Sequence, residues 1–397
     1  MPVMDRLQTL DFIELEDKYG AHNYHPLDVV IERAEGVWVY DVEGNRYLDC
    51  LSARGASNQG HTHTRIAAAM VEQCLRLPLA PPAYRNDRLP PFLGKLCTLT
   101  GFEAALALCG DSGALEAAIL AARRWACQEK GLDPGRAEIL VFSGNGHASG
   151  LLGLASAPAD QGRFLPGFRQ AAYGDLASTR AMVGPGTCAI LVEPIQGREV
   201  RVPPRGFLRG LRDLCDGEGL LLLADETQSG LCRTGKLFAF EHESIRPDGV
   251  LLGQSLSGGF YPVSAFLASR ELLDQVPNGA WRSLFAGSPL ACAVASAALD
   301  VLTDERLADR SAELGAYFLA RLRAMESSRI KEIRGLGLWA GLELVEPEAG
   351  PLCVALAHEG LLCEKSSESV LTLCPPLVIT REQLDWALEK LERVLGR

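Results

Sequence analysis

Continuous apolar runs alternate with segments of helical periodicity through the middle of the chain. The runs lie at residues 138–142, 188–193, 220–225 and 249–253. Residues 115–125 carry apolar side chains at helical spacing, and Asp111 or Ser112 is available as the N-cap of that helix. Buried strands separated by helices are typical of a parallel sheet covered on both faces. The pattern therefore predicts an α/β fold.

Both ends of the chain show a different pattern. Residues 37–49 alternate apolar and polar side chains about a turn, which indicates a β-hairpin. The last third is helix-rich from Pro289, with a strand pair around residues 333–344 and an amphipathic helix at 381–395. Because 397 residues exceed the size at which one hydrophobic core stops growing, we predict a second, smaller α+β domain.

Composition and charge indicate which kinds of binding partner to expect. Hydrophobic residues make up 47% and charged residues 22%, an ordinary balance without an apolar run long enough for a bilayer. The first residues, 1–11, lack the basic and apolar parts of a signal peptide, so a cytoplasmic location is expected. A net charge of -11 without a basic cluster argues against nucleic acid and membrane partners. A small molecule remains as the expected ligand.

The twelve cysteines are scattered singly, with no CxxC pair and no histidine nearby at zinc spacing. We interpret them as reduced and mostly buried small hydrophobic residues. No metal site is predicted. Examples are Cys50, Cys109, Cys188, Cys232 and Cys374.

Polar residues follow three of the apolar runs. In open α/β sheets ligands lie beyond the carboxyl ends of the strands, so these turns are the candidate site. Asp225 ends one run, and a buried carboxylate there needs a cationic partner or a capping role. The turns at 143–147 and 193–198 follow two others. The residues by themselves leave open whether either turn is functional.

Several short motifs follow one another along the chain: KYGAHNYHP at 18–26, DVEG at 41–44, NQGH at 58–61, EPIQG at 193–197, ADE at 224–226, RTGK at 233–236 and PPLVI at 375–379. Together they resemble the class III, fold-type I aminotransferases of the ornithine-aminotransferase type, which use pyridoxal phosphate (PLP). The resemblance runs from about residue 12 to the C-terminus. It implies a large domain at 46–288, a small domain from residues 1–45 and 289–397, and a homodimer in which residues 281–287 reach the partner's site.

The resemblance also implies cofactor contacts. Asp225 would keep the pyridine nitrogen protonated, and Gln228 would lie near the ring hydroxyl. The phosphate turn would fall at residues 110–113, which include Asp111 and Ser112. Asp111 would bring a negative charge close to the phosphate, an unfavourable contact.

The departures from the family carry most weight in our expectation of function. Gln254 follows the strand where the family has its Schiff-base lysine, and an amide is neither nucleophilic nor basic. Gly146, Ser149 and Leu284 replace a stacking aromatic residue, a carboxylate-binding arginine and a phosphate-binding threonine of the family. We therefore expect no tightly bound cofactor, with PLP or its amine form held noncovalently at most.

Three further changes affect the pocket together. The family's pocket glutamate becomes Arg198, the arginine that pairs with it becomes Thr372, and a pocket tyrosine becomes Arg54. One interpretation is drift, with both new arginines turned to solvent. The other is a rebuilt pocket for an acidic or carbonyl-bearing ligand, with Tyr24 and His147 as further polar groups.

Three functions stay open. The first is an atypical, PLP-independent enzyme of specialised metabolism, and its polar candidates are Gln254, His147, Asp225, Arg198 and Arg54. His147 is the one expected to titrate near neutrality. The second is a non-catalytic homologue that binds a ligand or a related chain. The third is a PLP-dependent aminotransferase with an engineered lysine-to-glutamine change at 254.

Overall fold

The structure, a computed structural model, describes residues 7–146, 166–280 and 283–396, without the side chains of Asp111 and Gln254. Its helices are α1 (Thr9–Tyr19), α2 (Ser52–Gly55), α3 (Thr64–Arg76), α4 (Leu89–Thr100), α5 (Asp111–Glu129), α6 (Leu176–Met182), α7 (Phe207–Glu218), α8 (Arg270–Leu273), α9 (Pro289–Asp304), α10 (Leu307–Arg323), α11 (Ala349–His358) and α12 (Arg381–Leu395). Its strands are β1 (Ile31–Glu35), β2 (Trp38–Asp41), β3 (Arg46–Asp49), β4 (Ala104–Leu108), β5 (Glu138–Phe142), β6 (Phe168–Ala171), β7 (Thr187–Val192), β8 (Leu221–Asp225), β9 (Gly249–Leu252), β10 (Ser264–Ala268), β11 (Ile330–Gly335), β12 (Ala340–Leu344), β13 (Leu361–Leu362), β14 (Glu364–Ser367) and β15 (Val370–Leu373).

A seven-stranded sheet is the largest sheet in the described part of the chain, with the order β4-β10-β9-β8-β7-β5-β6. The strands from β9 to β6 in this order pair in parallel, whereas β10 runs antiparallel to both of its neighbours. The predicted mostly parallel sheet is confirmed. Its strands β4, β6 and β10 were not predicted. β4 consists of alanine and leucine, which favour helices, and β6 contains Arg169 and Gln170, so it is not a continuous apolar run.

Both faces of this sheet are covered, as the uninterrupted apolar runs predict. On β7, Ile190 and Val192 belong to the same apolar cluster as residues of α7. The alternate residues Ala189 and Leu191 belong to the cluster that contains α5. Successive side chains of a strand point to opposite faces, so a strand buried on both faces is apolar at nearly every position.

The two ends of the chain meet in a separate sheet. β1, β2 and β3 form an antiparallel meander, and β13 from the C-terminal third pairs in parallel with β3. Another antiparallel sheet has the order β11-β12-β15-β14. The predicted hairpin, strand pair and final helix are confirmed as β2–β3, β11–β12 and α12. The domain boundaries at residues 46 and 288 stay a prediction.

The start of α5 differs from the prediction. Its N-cap is Gly110, with φ 72° and ψ 158°, and Asp111 is already the first helical residue. The prediction that Asp111 or Ser112 caps the helix is therefore wrong. The physical reason is that the turn after β4 requires a positive φ, which glycine adopts without a steric penalty.

The first helix leaves its apolar side chains in solvent. No residue of α1 is buried, and Leu10 and Tyr19 are exposed for 72% and 75% of their surface. Phe12 and Leu15 of the same helix are exposed as well, at 36% and 46%. Within residues 7–146, 166–280 and 283–396, no helix combines the length and the apolar character needed to cross a membrane.

Candidate active site

The candidate site lies at the edge of the large sheet where the parallel strands end. Strands β5, β7, β8 and β9 point their carboxyl ends to the same edge because they pair in parallel. The turns at 143–146 and 193–198, the residues after Asp225, and Gln254 all follow these strands. Side chains distant in sequence therefore come together at this edge.

Asp225 ends β8 and is only 3% exposed. Its Oδ1 accepts hydrogen bonds from the backbone N of Thr227 at 3.1 Å and from Thr227 Oγ1 at 2.6 Å. These two donors fix the orientation of the buried carboxylate. Asp225 is thus a buried hydrogen-bond acceptor with a fixed orientation at the end of β8.

The neighbouring Glu226 is also buried and is held separately. Its Oε2 accepts from Ser229 Oγ at 2.5 Å and its Oε1 from the backbone N of Phe240 at 2.9 Å. Burial raises the pKa of Glu226 to about 7, although these hydrogen bonds act in the opposite direction. Glu226 joins the end of β8 to the segment that carries Phe240, and it was not singled out from the sequence.

Glu193, after β7, bridges two turns of the site. One carboxylate oxygen accepts from the backbone N of Gly146, and the other accepts from the backbone N of Gly197 at 2.9 Å. Gln196 Nε2 adds bonds to the Ser143 carbonyl at 2.7 Å and to Asn145 Oδ1 at 2.6 Å. The turns after β5 and β7 are consequently fixed to each other.

Gln228 lies directly against Gly197. A Cβ atom at residue 197 would be 1.8 Å from Gln228 Oε1, so only glycine allows this approach. The carbonyl of Gln228 also lies 3.8 Å from the Cβ position of Gly55. Three segments that are far apart in the sequence therefore meet around Gln228, which is itself exposed.

The segment at α2 is a strained left-handed turn. Ser52, Ala53, Arg54 and Gly55 have φ values of 46°, 49°, 56° and 83°. A left-handed conformation costs roughly 1–2 kcal/mol for each residue with a side chain. Strain of this kind persists only where surrounding contacts impose it, and it concentrates at functional sites.

Asp49 and Ser52 hold the ends of this turn in place. Asp49 Oδ1 accepts from the backbone N of Leu51 at 2.7 Å and of Ser52 at 3.0 Å. Ser52 Oγ donates to the Cys374 carbonyl at 2.6 Å. The turn is thereby attached to the C-terminal third of the chain.

Arg233 is a fully buried cation beside this turn. Its Nη1 donates to the carbonyls of Leu338 at 2.8 Å and Pro375 at 2.6 Å, and its Nη2 donates to Ser52 Oγ at 3.2 Å and to Asn58 Oδ1. Burial lowers the pKa of Arg233. Four acceptors from three segments of the chain bind this one guanidinium, and these hydrogen bonds offset part of the cost of burying its charge.

Arg54, at the outer side of the turn, pairs with Glu364 on β14. Arg54 Nε lies 3.1 Å from Oε1 and 3.0 Å from Oε2, and Nη2 also contacts Oε1. The hydrogen bonds to Glu364 raise the pKa of Arg54. Glu364 was missed from the sequence, although a search for a carboxylate to match the two new arginines could have found it.

The three coordinated changes at 54, 198 and 372 share one region. Glu364 is the register partner of Thr372, which is in turn the partner of Gly341 on β12. The carbonyl of Glu199, one residue after Arg198, lies 2.8 Å from the Cβ position of Gly341. The backbone of the 198–200 turn therefore packs against the strand next to Thr372.

The remaining predicted residues fall into two groups. Arg198 and Ser112 are exposed, on the turn after β7 and at the start of α5, and Tyr24 Oη donates to Glu16 of α1 at 2.9 Å. His147 and Ser149 lie outside the described residues, as do the side chains of Asp111 and Gln254. The interpretation of Arg54 and Arg198 as one binding cleft stays a prediction.

The geometry suits a flat, phosphorylated heteroaromatic cofactor. Asp225 offers a buried carboxylate to a protonated ring nitrogen. Gly110, where nothing lies within 4 Å of the Cβ position, opens the N-terminus of the 19-residue helix α5, whose free N–H groups favour a phosphate. Asp225 follows from β8 and Gly110 from β4, and the carboxyl ends of these two strands lie at the same end of the sheet.

Comparison with known proteins identifies the family. The family model "Aminotransferase class-III" matches residues 19–395. The chain belongs to the class III aminotransferases. Ornithine aminotransferase 2 of Staphylococcus aureus is 47% identical over 388 residues, which are 96% of this chain and 98% of the relative. The ornithine aminotransferase of Staphylococcus epidermidis is 47% identical over 395 residues, 98% of this chain and 100% of the relative.

Solved class III structures agree over nearly the whole chain. Acetylornithine aminotransferase from Elizabethkingia anophelis has a TM-score of 0.90 at 40% identity, covering 98% of this chain and 99% of its own. Ornithine aminotransferase from Toxoplasma gondii has a TM-score of 0.95 at 36% identity, covering 99% and 95%, and that structure has PLP at partial occupancy in its active site. The predicted fold-type I aminotransferase fold is confirmed.

Two expectations are wrong in the light of these relatives. The identity to ornithine aminotransferases over almost the full length supports a conventional PLP-dependent aminotransferase, not a PLP-independent enzyme. The expectation of no tightly bound cofactor conflicts with membership of a family that uses PLP. Single changed positions such as Gln254 predicted the wrong function, because the buried Asp225 and the turns around it form one hydrogen-bonded arrangement at the end of the sheet.

Proposed function

We propose that this chain is a PLP-dependent aminotransferase that acts on ornithine or a chemically similar diamino acid. The names of the 47% identical relatives support the substrate class. The supporting observation in the structure is Asp225, a carboxylate 3% exposed and oriented by Thr227 at the carboxyl edge of the sheet. A buried acceptor there matches the need for a protonated pyridine nitrogen.

The chain's own residues would hold the cofactor at two ends. Asp225 would accept from the ring nitrogen, and Gln228, packed on Gly197, would lie at the edge of the ring. The turn at Gly110 and Ser112 would receive the phosphate at the N-terminus of α5. When bound, PLP supplies the electron sink that amino-group transfer requires.

Substrate carboxylates would be bound by cations at the mouth of the site. Arg54 carries a planar guanidinium, which pairs with Glu364 and is half in solvent, and Arg198 is exposed on the turn after β7. We assign both to the carboxylates of the amino acid and of the oxo-acid acceptor. Tyr24 belongs to the same proposal as a polar group contributed from the N-terminal segment.

We propose a homodimer as the working form. The exposed apolar residues of α1, together with Leu284 and Phe285, which are 51% and 49% exposed, would be covered by the second copy. Covering such residues contributes about 25 cal/mol for each Å² of apolar area. The segment of residues 283–287 would approach the partner's active site.

Gln254 differs from the lysine that the proposed chemistry uses. It follows β9 and is proposed to occupy the position of the family's Schiff-base lysine. We expect the unmodified chain to transfer amino groups, and Gln254→Lys should raise that rate, because a lysine amine can attach the cofactor and move a proton.

The test compares the unmodified chain with Gln254→Lys, each incubated with PLP and gel-filtered. The lysine variant should retain stoichiometric PLP with visible absorbance and should transfer an amino group from ornithine to an oxo acid. Adding Asp225→Asn to that variant is the matched control, since it keeps shape but removes the charge, and turnover should fall at least tenfold. A folded Gln254→Lys protein that retains no PLP would overturn the proposal.

A further inference from the structure

Two buried cysteines outside the active site are in direct contact. Cys353 lies in α11 and Cys363 lies between β13 and β14. Their Sγ atoms are 3.8 Å apart, and the residues are 3% and 6% exposed. The sequence gives no hint of this pair, because ten residues separate its members and no CxxC spacing is present.

We propose that Cys353 and Cys363 form a redox modification site, in which hydrogen peroxide converts the thiol pair to an intramolecular disulfide. The sulfur atoms need to approach from 3.8 Å to about 2.05 Å, a movement that rotation of the side chains and a small backbone shift can provide. Peroxide is small and uncharged, so it can reach thiols of low exposure that a peptide disulfide cannot.

Cys353 is the thiol that reacts first. The hydrogen bond from Cys363 lowers the pKa of Cys353, whereas burial raises the pKa of Cys188 to about 11 and of Cys292 to about 12. A larger thiolate fraction favours attack on peroxide. The contact between the two cysteines therefore distinguishes this pair from the other buried cysteines.

The reaction balances in two steps. The Cys353 thiolate attacks one oxygen of hydrogen peroxide, the O–O bond breaks, and a sulfenic acid and hydroxide form. Cys363 sulfur then attacks the Cys353 sulfur, the S–O bond breaks, and the thiol proton and hydroxide leave as water. The proton that Cys353 released on forming its thiolate converts the hydroxide of the first step into a second water. The two cysteines together thus lose two electrons, and one peroxide is reduced to two waters.

Oxidation at this place would reach the active site through one residue. Cys363 directly precedes Glu364, whose carboxylate pairs with Arg54. Drawing Cys363 towards α11 shifts the start of β14, so the Arg54–Glu364 pair changes its geometry. This coupling is independent of which substrate the enzyme takes.

The experiment uses the full chain in a Cys74→Ser background, because Cys74 is exposed and would link chains to one another. The protein is treated with peroxide, remaining thiols are alkylated, and peptides are identified by mass spectrometry. A cross-link between the peptides of Cys353 and Cys363 should form and should be reversed by dithiothreitol. It should persist with Cys292→Ser and disappear with Cys353→Ser or Cys363→Ser.

Other results would overturn the proposal. These are a sulfinic or sulfonic acid on Cys353 without a cross-link, or both thiols still alkylated under conditions that oxidise Cys74 in the unmodified chain. Hydrogen exchange tests the coupling to the site: residues 361–367 should change their exchange after oxidation, and the same treatment of Cys353→Ser should leave them unchanged. Unchanged exchange in the cross-linked protein would exclude the coupling to Glu364.

Discussion

Arg54 and Glu364 lie 310 residues apart in the sequence and form a bidentate ion pair that joins the left-handed turn at residues 52–55 to β14, with Arg54 Nε 3.0 Å from Glu364 Oε2. The Arg54 side chain is 63% exposed and that of Glu364 is 26% exposed. Water screens a pair with this exposure, so it contributes little to stability. Arg54 directly precedes Gly55, whose Cβ position lies 3.8 Å from the Gln228 carbonyl, and on this ground we propose that Arg54 binds the ligand.

Replacing Arg54 should therefore affect ligand binding more than folding. In the Gln254→Lys protein, Arg54→Ala should raise the KM for ornithine roughly 10-fold to 100-fold, the range expected for one lost charged hydrogen bond of about 1.5–3 kcal/mol. The free energy of unfolding should change by less than about 1 kcal/mol. Arg54→Lys is the matched control and should recover part of the loss, because it keeps the charge without the planar fork. An unchanged KM would remove Arg54 from the site.

The strained turn gives a prediction about stability. Ala53 has φ 49°, and Ala53→Gly should stabilise the protein by up to about 1 kcal/mol, because relief of left-handed strain exceeds the entropy cost of glycine. The control is Ala320→Gly in α10, an exposed helical position, which should destabilise by roughly 0.5–1 kcal/mol. Urea unfolding of both variants measures whether each one raises or lowers the free energy of unfolding. Destabilisation by Ala53→Gly would show that the turn is not strained in solution.

Glu226 should make stability depend on pH. Its pKa of about 7 in the folded protein lies above the ordinary 4.5, so the folded state favours the protonated form. Its stabilising contribution is complete below the ordinary pKa and is lost as the pH rises through about 7, by up to roughly 3 kcal/mol. Glu226→Gln should remove that part of the decline between pH 5 and 8 in urea unfolding.

A second carboxylate serves as the control for this pH effect. Hydrogen bonds from Lys331 and Arg334 lower the pKa of Glu343. Its contribution is therefore present above its ordinary pKa and is lost as the pH falls through its lowered value. Glu343→Gln should leave the decline between pH 5 and 8 unchanged. If Glu226→Gln has the same pH profile as the unmodified chain, Glu226 does not titrate in this range.

Two helical glycines should respond in opposite directions to alanine. A Cβ at Gly315 in α10 would lie 2.2 Å from the backbone carbon of Gly337, so Gly315→Ala should destabilise by roughly 1–3 kcal/mol or more. Gly217 in α7 has nothing within 4 Å of its Cβ position, so Gly217→Ala should stabilise by up to about 1 kcal/mol. Thermal unfolding of the pair separates packing from helix propensity. Equal shifts in both variants would contradict the close approach of α10 to Gly337.

The sequence by itself determined the central sheet and the place of the site. Strands β5, β7, β8 and β9 could be found because burial on both faces requires a local run of apolar residues. The position of Asp225 at a strand end followed from the same run, and the motifs around it indicated the family. The function predicted from the sequence was wrong. Single changes such as Gln254 pointed away from PLP chemistry, although the family motifs around Asp225 pointed towards it.

Only the tertiary structure decided which distant residues touch. Nothing local in the sequence links Arg54 to Glu364, Arg233 to Pro375, or Cys353 to Cys363, because each contact depends on how strands from both chain ends pack against the sheet edge. The left-handed turn at residues 52–55 has one glycine, so its conformation is imposed by contacts and not by residue preference. Local patterns record burial and periodicity, whereas long-range pairing is set by the packing of the complete chain.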